Sequence, residues 1–152
     1  MPPVLKTLFL CACILPLAAC GIWSSDDEDD VVLDTNLAAE RNKVPVQSVG
    51  KVEIGRTRDG YLITVFGTAP GIGYAAPELR VRRGGQPAAD GFLEFDFIAV
   101  RPADAATLPP GTTRARAIRA DLPISARELS RAAGIRVLAL RGGVQVPINL
   151  GG

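Results

Sequence analysis

The chain contains no histidine, and it holds only three cysteines among its 152 residues. Histidine is the commonest general base and the commonest metal ligand in proteins, so its absence argues against Ser-His or Cys-His catalysis and against histidine-bound metals. Basic and acidic residues nearly balance, at 17 and 16, and 47% of the residues are apolar. This composition excludes a wholly disordered chain, a collagen-like chain and a coiled coil.

The first 20 residues have the pattern of a processing signal. Lys6 precedes an apolar run over residues 8–17, and the sequence Leu17-Ala18-Ala19-Cys20 closes the segment. A run of this length is typical of a signal-peptide core, whereas a membrane-spanning helix needs roughly 20 apolar residues. The length therefore favours an export signal over a membrane span.

The residues before Cys20 resemble the lipobox of bacterial lipoproteins, in which a leucine and two small residues precede a lipidated cysteine. The resemblance implies a signal peptide over residues 1–19, cleavage between Ala19 and Cys20, and a diacylglycerol on the Cys20 sulfur. Gly21, and not an aspartate, follows Cys20. By resemblance to the sorting rule of these lipoproteins, this residue implies that the protein is delivered to the outer membrane. An ordinary secretory signal and an uncut membrane anchor are the alternatives. The other two cysteines lie in the leader, so the mature chain would have no disulfide and no free thiol.

Residues 20–43 lack an apolar period, and we predict that they form a flexible tether. Positions 26–30 are five consecutive acidic residues, and a run of like charges repels itself and extends the chain. A solvated spacer is the interpretation that we prefer; calcium capture and a docking segment are the alternatives. Residues 31–152 hold 16 basic and 11 acidic side chains, so an acidic tether would carry a basic domain.

Residues 44–152 have the pattern of a β domain. The strongest strand signal lies at residues 92–100, where apolar residues alternate with Glu94 and Asp96. Such alternation is typical of a strand with one buried face and one wet face. Turn signals rich in Gly and Pro separate further strand-like segments at residues 49–56, 61–66, 78–83, 112–122, 135–140 and 144–148.

One short helix is predicted after the segment at 112–122, because Ser125 and Glu128 fit a capping box. Gly134 is the expected C-terminal cap of this helix. The short strands and their spacing of about 8–12 residues predict an antiparallel β-sandwich, of which an immunoglobulin-like arrangement is one form; a small, partly open β-barrel is the alternative. The whole pattern is similar to small envelope lipoproteins of proteobacteria, a similarity that implies no known activity.

Glu94 and Asp96 are the candidate catalytic pair. Both carboxylates project from one face of a strand, at a spacing that suits the acid and base of a hydrolase. The sequence shows no cleft that would separate their pKa values, so we prefer a solvated strand face and predict no catalytic residue. Residues 71–76 match the dinucleotide pattern G-x-G-x-x-A, but prolines flank them and a strand follows, which predicts a plain loop. Tyr74 in that loop is a candidate exposed contact.

Arginine outnumbers lysine 14 to 3 and recurs on the predicted strands. Guanidinium groups bind phosphates and carboxylates through paired hydrogen bonds, so Arg80, Arg82, Arg114 and Arg116 are candidate anion-binding residues. Alternate residues of a strand share a face, which predicts that Arg80 acts with Arg82 and that Arg114 acts with Arg116. A lipopolysaccharide-type polyanion is the candidate ligand. Ordinary surface charge is the interpretation that the interspersed acidic residues favour.

The sequence thus predicts a non-catalytic, lipid-anchored envelope protein with a binding, assembly or structural role. Its expected partners are the membrane, through the lipid on Cys20, and an envelope protein or a polyanion. Export from the cytoplasm argues against nucleic acid, and no cofactor or metal site is predicted. A carboxylate-dependent hydrolase acting on an envelope polymer and a polyanion-binding module are the alternative functions.

Overall fold

Eight β-strands form most of the part of the chain that the computed structural model describes, residues 37–148. The strands are β1 (Lys43–Pro45), β2 (Ser48–Arg56), β3 (Gly60–Thr68), β4 (Ala75–Val81), β5 (Phe92–Val100), β6 (Ala117–Ser125), β7 (Gly134–Ala139) and β8 (Gly142–Pro147). Helical segments are short and comprise residues 37–41, the 3-10 turn Arg83–Gly85 and the helix Ala126–Leu129. The predicted all-β, sandwich-like fold is confirmed, and its sheets do not close into a barrel.

Two sheets form the sandwich. The first, the β3 sheet, has the order β2-β3-β6 and is antiparallel throughout. In the second, the β5 sheet, β5 pairs with β1, β4 and β7, and β7 pairs with β8. Strands β1 and β4 pair with overlapping residues of β5, so they lie on opposite edges of that strand. Strand β7 pairs with the same edge of β5 as β1 does, but further toward its N-terminus.

One pair of strands, β5 and β7, runs parallel, which the antiparallel prediction did not include. Strand β6 belongs to the β3 sheet, and the chain crosses to the other sheet through the helix Ala126–Leu129 before β7 begins. A crossover between sheets does not reverse the chain as a hairpin does, so β7 can run alongside β5 in the same direction. The predicted final hairpin is confirmed, since β7 and β8 pair antiparallel.

The core lies between the two sheets and contains the inward residues of β5. Leu93, Phe95 and Phe97 are 3% exposed or less, as the alternating pattern predicted. Ile63 and Val65 of β3 are fully buried in the same cluster. The cluster also includes Val46, Leu79, Ala99, Ala120, Leu129, Ile135 and Val137. Burial of these apolar side chains removes their surface from water and so stabilises the sandwich. Residues 37–148 contain no cysteine, so no disulfide adds to this stability within the described part of the chain.

The capping box is confirmed, but the predicted helix cap at Gly134 is wrong. The Ser125 hydroxyl accepts from the Glu128 N–H at 3.1 Å, and the Ser125 N–H donates to Glu128 Oε2 at 3.1 Å. Gly134 instead begins β7 without a positive φ. A Cβ there would lie 2.5 Å from a ring carbon of Phe92 and 2.6 Å from the carbonyl oxygen of Val146. Close strand packing, and not a left-handed backbone, requires glycine at this position.

Strand β6 begins at Ala117 and not at Thr112, which corrects the prediction for the residues between them. The Thr112 hydroxyl accepts from the Ala115 N–H at 3.2 Å, and the Thr112 carbonyl accepts from the Arg116 N–H at 3.1 Å. A threonine that bonds to the following backbone in this way favours a turn over a strand. Arg114 and Arg116 therefore lie on a turn, and strand alternation does not put them on one face.

Candidate functional site

The outward face of the β5 sheet carries a network of ion pairs, which we call the charged face. Its central strand presents acidic residues outward, and the neighbouring strands present arginines opposite them, at the register positions Arg80↔Asp96 and Glu94↔Arg136. Cross-strand pairs of opposite charge stabilise a sheet. The members of the charged face are Glu40, Lys43, Glu78, Arg80, Arg82, Arg83, Asp90, Glu94, Asp96 and Arg136.

Glu94 is the most buried acidic residue of the charged face, at 7% exposure. Arg136 Nη1 donates to its Oε1 at 2.8 Å, and Arg83 Nε donates to its Oε2 at 3.1 Å. The hydrogen bond from Arg136, followed by that from Arg83, holds the pKa of Glu94 below its ordinary value. Arg136 also pairs with Asp90 and stacks on Phe92, with 5.1 Å between its guanidinium carbon and the ring centroid.

Glu94 and Asp96 share the outward face, as their spacing predicted, but an arginine engages each of them. Asp96 Oδ2 lies 3.3 Å from Arg82 Nε. A general acid needs a pKa raised toward the working pH, whereas the pKa of Glu94 is lowered. This arrangement suits a fixed ion-pair network better than it suits acid–base catalysis.

Arg80 and Arg82 belong to the charged face and both have acidic partners. Arg80 Nη2 donates to Glu40 Oε2 at 3.0 Å and to Glu78 Oε1 at 3.2 Å. Arg82 pairs with Asp96 and lies just beyond the end of β4, which is shorter at this end than predicted. The positive charge of these two arginines is therefore compensated within the charged face.

Arg114 and Arg116 lie on the turn before β6, in different surroundings from each other. Arg116 Nη1 donates to Gln47 Oε1 at 2.7 Å and to the Ala69 carbonyl at 3.3 Å, while Arg114 is exposed. The four candidate arginines thus lie in two separate segments of the chain, at the end of β4 and on the turn before β6. Three of them, all except Arg114, use their guanidinium groups for contacts within the protein.

We expect the double variant Arg80→Gln/Arg82→Gln to bind heparin within about twofold of the unchanged protein, since compensated surface arginines release few counterions from a polyanion. The measurement is a heparin titration at several salt concentrations. Arg127→Gln/Arg131→Gln is the matched control, because it removes the same charge from exposed arginines outside the charged face. A loss of about tenfold confined to the first variant, with a shallower salt slope, would contradict the expectation and support a polyanion site.

A cleft of about 320 Å³ lies between the β3–β4 loop and the β5–β6 loop, and we call it the loop-end cleft. The backbone N–H of Arg101 donates to the Asn42 carbonyl at 2.9 Å, which holds the start of the second loop. The carbonyl of Asp104 accepts from the N–H groups of Thr107 and Leu108, which curls that loop back. The cleft is lined by Pro70, Gly71, Ile72, Tyr74, Arg101, Ala105, Leu108, Pro109 and Pro110.

Two glycines with positive φ allow the loops around the cleft to pack closely. Gly73 has a φ of +79°, and a Cβ there would lie 3.2 Å from Leu108 Cδ1. Gly111 has a φ of +69°, and a Cβ there would lie 2.2 Å from Ile72 Cγ2. Gly73 in the G-x-G-x-x-A segment and Gly111 in the opposite loop thus serve loop packing. No helix directly follows the segment; β4 begins within it at Ala75, so the plain-loop prediction is confirmed for residues 71–74 and is wrong for its last two residues.

Arg101 is the only charged residue that lines the cleft, and it makes no ion pair with the acidic side chains of residues 37–148. Tyr74, the candidate exposed contact, lines the cleft and is half-buried. Sequence reasoning missed Arg101. The available signal was its position directly after the strongest strand and before Pro102, because residues at such strand ends often carry function.

The predicted cleavage and lipidation residues, Ala19 and Cys20, lie outside the residues that the structure describes. Between residues 37 and 148 there is no group of three or more acidic, histidine or cysteine side chains that could hold a metal ion. Comparison of the chain with protein-family models, with curated proteins and with solved structures finds no match.

Proposed function

We propose that the protein is a non-catalytic, lipid-anchored protein of the cell envelope, held at the periplasmic side of the outer membrane, and that its β-sandwich binds a ligand or partner through the loop-end cleft. One contrast carries the proposal. On the charged face, acids and arginines neutralise each other, whereas Arg101 in the cleft has no acidic partner among residues 37–148. Loops that a rigid sheet scaffold positions are a common place for binding residues.

The lipid anchor in this proposal is supported by the sequence Leu17-Ala18-Ala19-Cys20. One acyl chain binds a bilayer only marginally, whereas two or more chains give a durable anchor. None of the helices within residues 37–148 is long and apolar enough to cross a membrane. The last residues of the proposed tether contact the domain: Lys43 begins β1 and pairs with Glu78, and Glu40 pairs with Arg80.

Replacing Cys20 by Ala should move the protein from the membrane fraction to the soluble or unprocessed fraction, because the thioether and amide anchors would be lost together. The measurement is fractionation of cells, followed by mass spectrometry of the mature N-terminus. Cys13→Ala is the matched control, since that cysteine lies in the predicted leader and should leave the distribution unchanged. An unmodified Cys20 in the mature protein would refute the anchor, and recovery in the inner membrane would refute the outer-membrane assignment.

The two alternative functions have weaker support. A hydrolase that uses Glu94 as its acid would need that carboxylate protonated near neutral pH, and two arginines favour its ionised form. A polyanion-binding face built on Arg80 and Arg82 would have to displace acidic partners already in contact with them. Neither requirement applies to a ligand that enters the loop-end cleft.

A further inference from the structure

We propose that the loop-end cleft binds a small ligand that carries a single carboxylate on an apolar body, such as an arylalkyl or medium-chain acid. The inference rests on the proposed binding function and names the ligand class for it. Small-molecule sites generally begin at about 300 Å³. The cleft, at about 320 Å³, has room for roughly ten non-hydrogen atoms if each takes the ~30 Å³ of a water molecule.

The charge of the cleft selects the acidic group. A guanidinium presents a planar pair of N–H donors that matches a carboxylate in geometry and in charge. Arg101 is the one charged residue of the lining, so a ligand with one negative charge is balanced there. Arg101 is exposed, so water solvates its guanidinium when no ligand is bound. A phosphate dianion would bring a second negative charge for which the lining has no cation, and an uncharged ligand would form no ion pair with Arg101.

The remaining lining selects the apolar body. Apart from Arg101, the walls are made of prolines, a glycine, an alanine, Ile72, Leu108 and the ring of Tyr74. Mostly apolar side chains around one charged group that fixes the orientation are typical of small-molecule sites. The close contacts of Gly73 and Gly111 brace the two loops against each other, so little ordering cost accompanies binding.

The test is a titration of the ¹⁵N-labelled full chain in detergent micelles with 3-phenylpropionate, followed residue by residue through amide chemical shifts. The probe has one carboxylate and eleven non-hydrogen atoms, roughly the capacity of the cleft. 3-Phenylpropionamide, which has the same shape and no charge, is the matched probe. We expect saturable shifts at the non-proline residues of 70–74 and 101–110 with the acid, and at least about tenfold weaker binding of the amide, because an ion pair with Arg101 is then lost.

Variants then separate the cleft from general surface charge. Arg101→Gln should weaken binding of 3-phenylpropionate by about tenfold or more, since it removes the ionic partner and keeps a side chain of similar length. Arg114→Gln removes the same charge from an exposed arginine of the same loop that does not line the cleft, and should change binding by less than about twofold.

Shifts that centre on the charged face, absence of saturable shifts at millimolar probe, or equal binding of acid and amide would each overturn the proposal. An equal loss from Arg101→Gln and Arg114→Gln would overturn it as well, because it would indicate diffuse electrostatic attraction. These outcomes concern the cleft alone. The proposed envelope location is tested separately by Cys20→Ala, so failure of one proposal can be told from failure of the other.

Discussion

Replacing Phe97 by Ala should lower the free energy of unfolding by about 3–5 kcal/mol, the usual cost of removing a buried aromatic ring. Phe97 is fully buried at the centre of β5. Its ring lies directly over Gly67 of β3, where an added Cβ would come within 2.7 Å of it, so the ring fills the space between the sheets. A domain of this size is stable by only about 5–15 kcal/mol, so the loss would be a large share of the total.

The measurement is urea unfolding followed by circular dichroism. Leu140→Ala is the control, because Leu140 is 67% exposed and its truncation leaves no cavity. The control should shift stability by less than about 0.5 kcal/mol, as surface substitutions usually do. Equal unfolding midpoints for Phe97→Ala and the unchanged protein would mean that the ring does not pack in the core.

Replacing Glu94 by Gln should destabilise the domain at neutral pH and have a much smaller effect in acid. The substitution keeps the shape of the side chain but removes the charge that Arg136 and Arg83 contact. Arg136 is itself only 17% exposed in its side chain, so it would be left without a buried counter-charge. Removing one partner of a buried pair costs more than the pair contributes, because the other charge remains desolvated.

The pH dependence follows from the lowered pKa of Glu94. A carboxylate whose pKa is lower in the folded state binds its proton more readily when unfolded. Its stabilising contribution is therefore complete above the ordinary glutamate value of about 4.3, and it is lost as the pH falls through the lower, folded value. The difference in stability between the unchanged protein and Glu94→Gln should be full at pH 7 and shrink in strong acid.

Thermal melting at neutral and at acidic pH provides this measurement. Asp96→Asn is the matched control, since Asp96 lies on the same face of β5 but is more exposed, at 38%, and makes one ion pair. It should lower the melting temperature less than Glu94→Gln does at neutral pH. A deficit for Glu94→Gln that is equally large at both pH values would indicate that shape, and not charge, explains the role of this residue.

Local patterns in the sequence were sufficient to predict most of the elements. The alternation from Phe92 to Val100 predicted the central strand and its buried face, and both bounds agree with the structure. The capping box at Ser125 and the final hairpin were predicted from signals within a few residues. Such features depend on neighbouring residues along the chain, and their physical causes can therefore be found in a short stretch of sequence.

Features that depend on residues far apart in the chain could not be predicted in this way. The parallel pairing of β5 with β7, and the ion pair between Glu94 and Arg136, each join segments separated by about one third of the described chain. The late start of β6 has a local cause that alternation does not report, namely the turn in which the Thr112 hydroxyl accepts from the Ala115 N–H.

The sequence by itself determined the fold class, the inward face of the central strand and the pattern from which we infer the lipid anchor at Cys20. The tertiary structure decided which arginines are compensated and which one lines a cleft. A sequence shows that Arg80 and Arg101 are both cations, but only the packing of the sheets and loops sets the partners that each can reach. Arg80 lies beside Glu78 and Glu40, whereas Arg101 is exposed at a cleft whose other lining residues carry no charge. Charge compensation depends on distances of a few ångströms between segments that meet only in the fold.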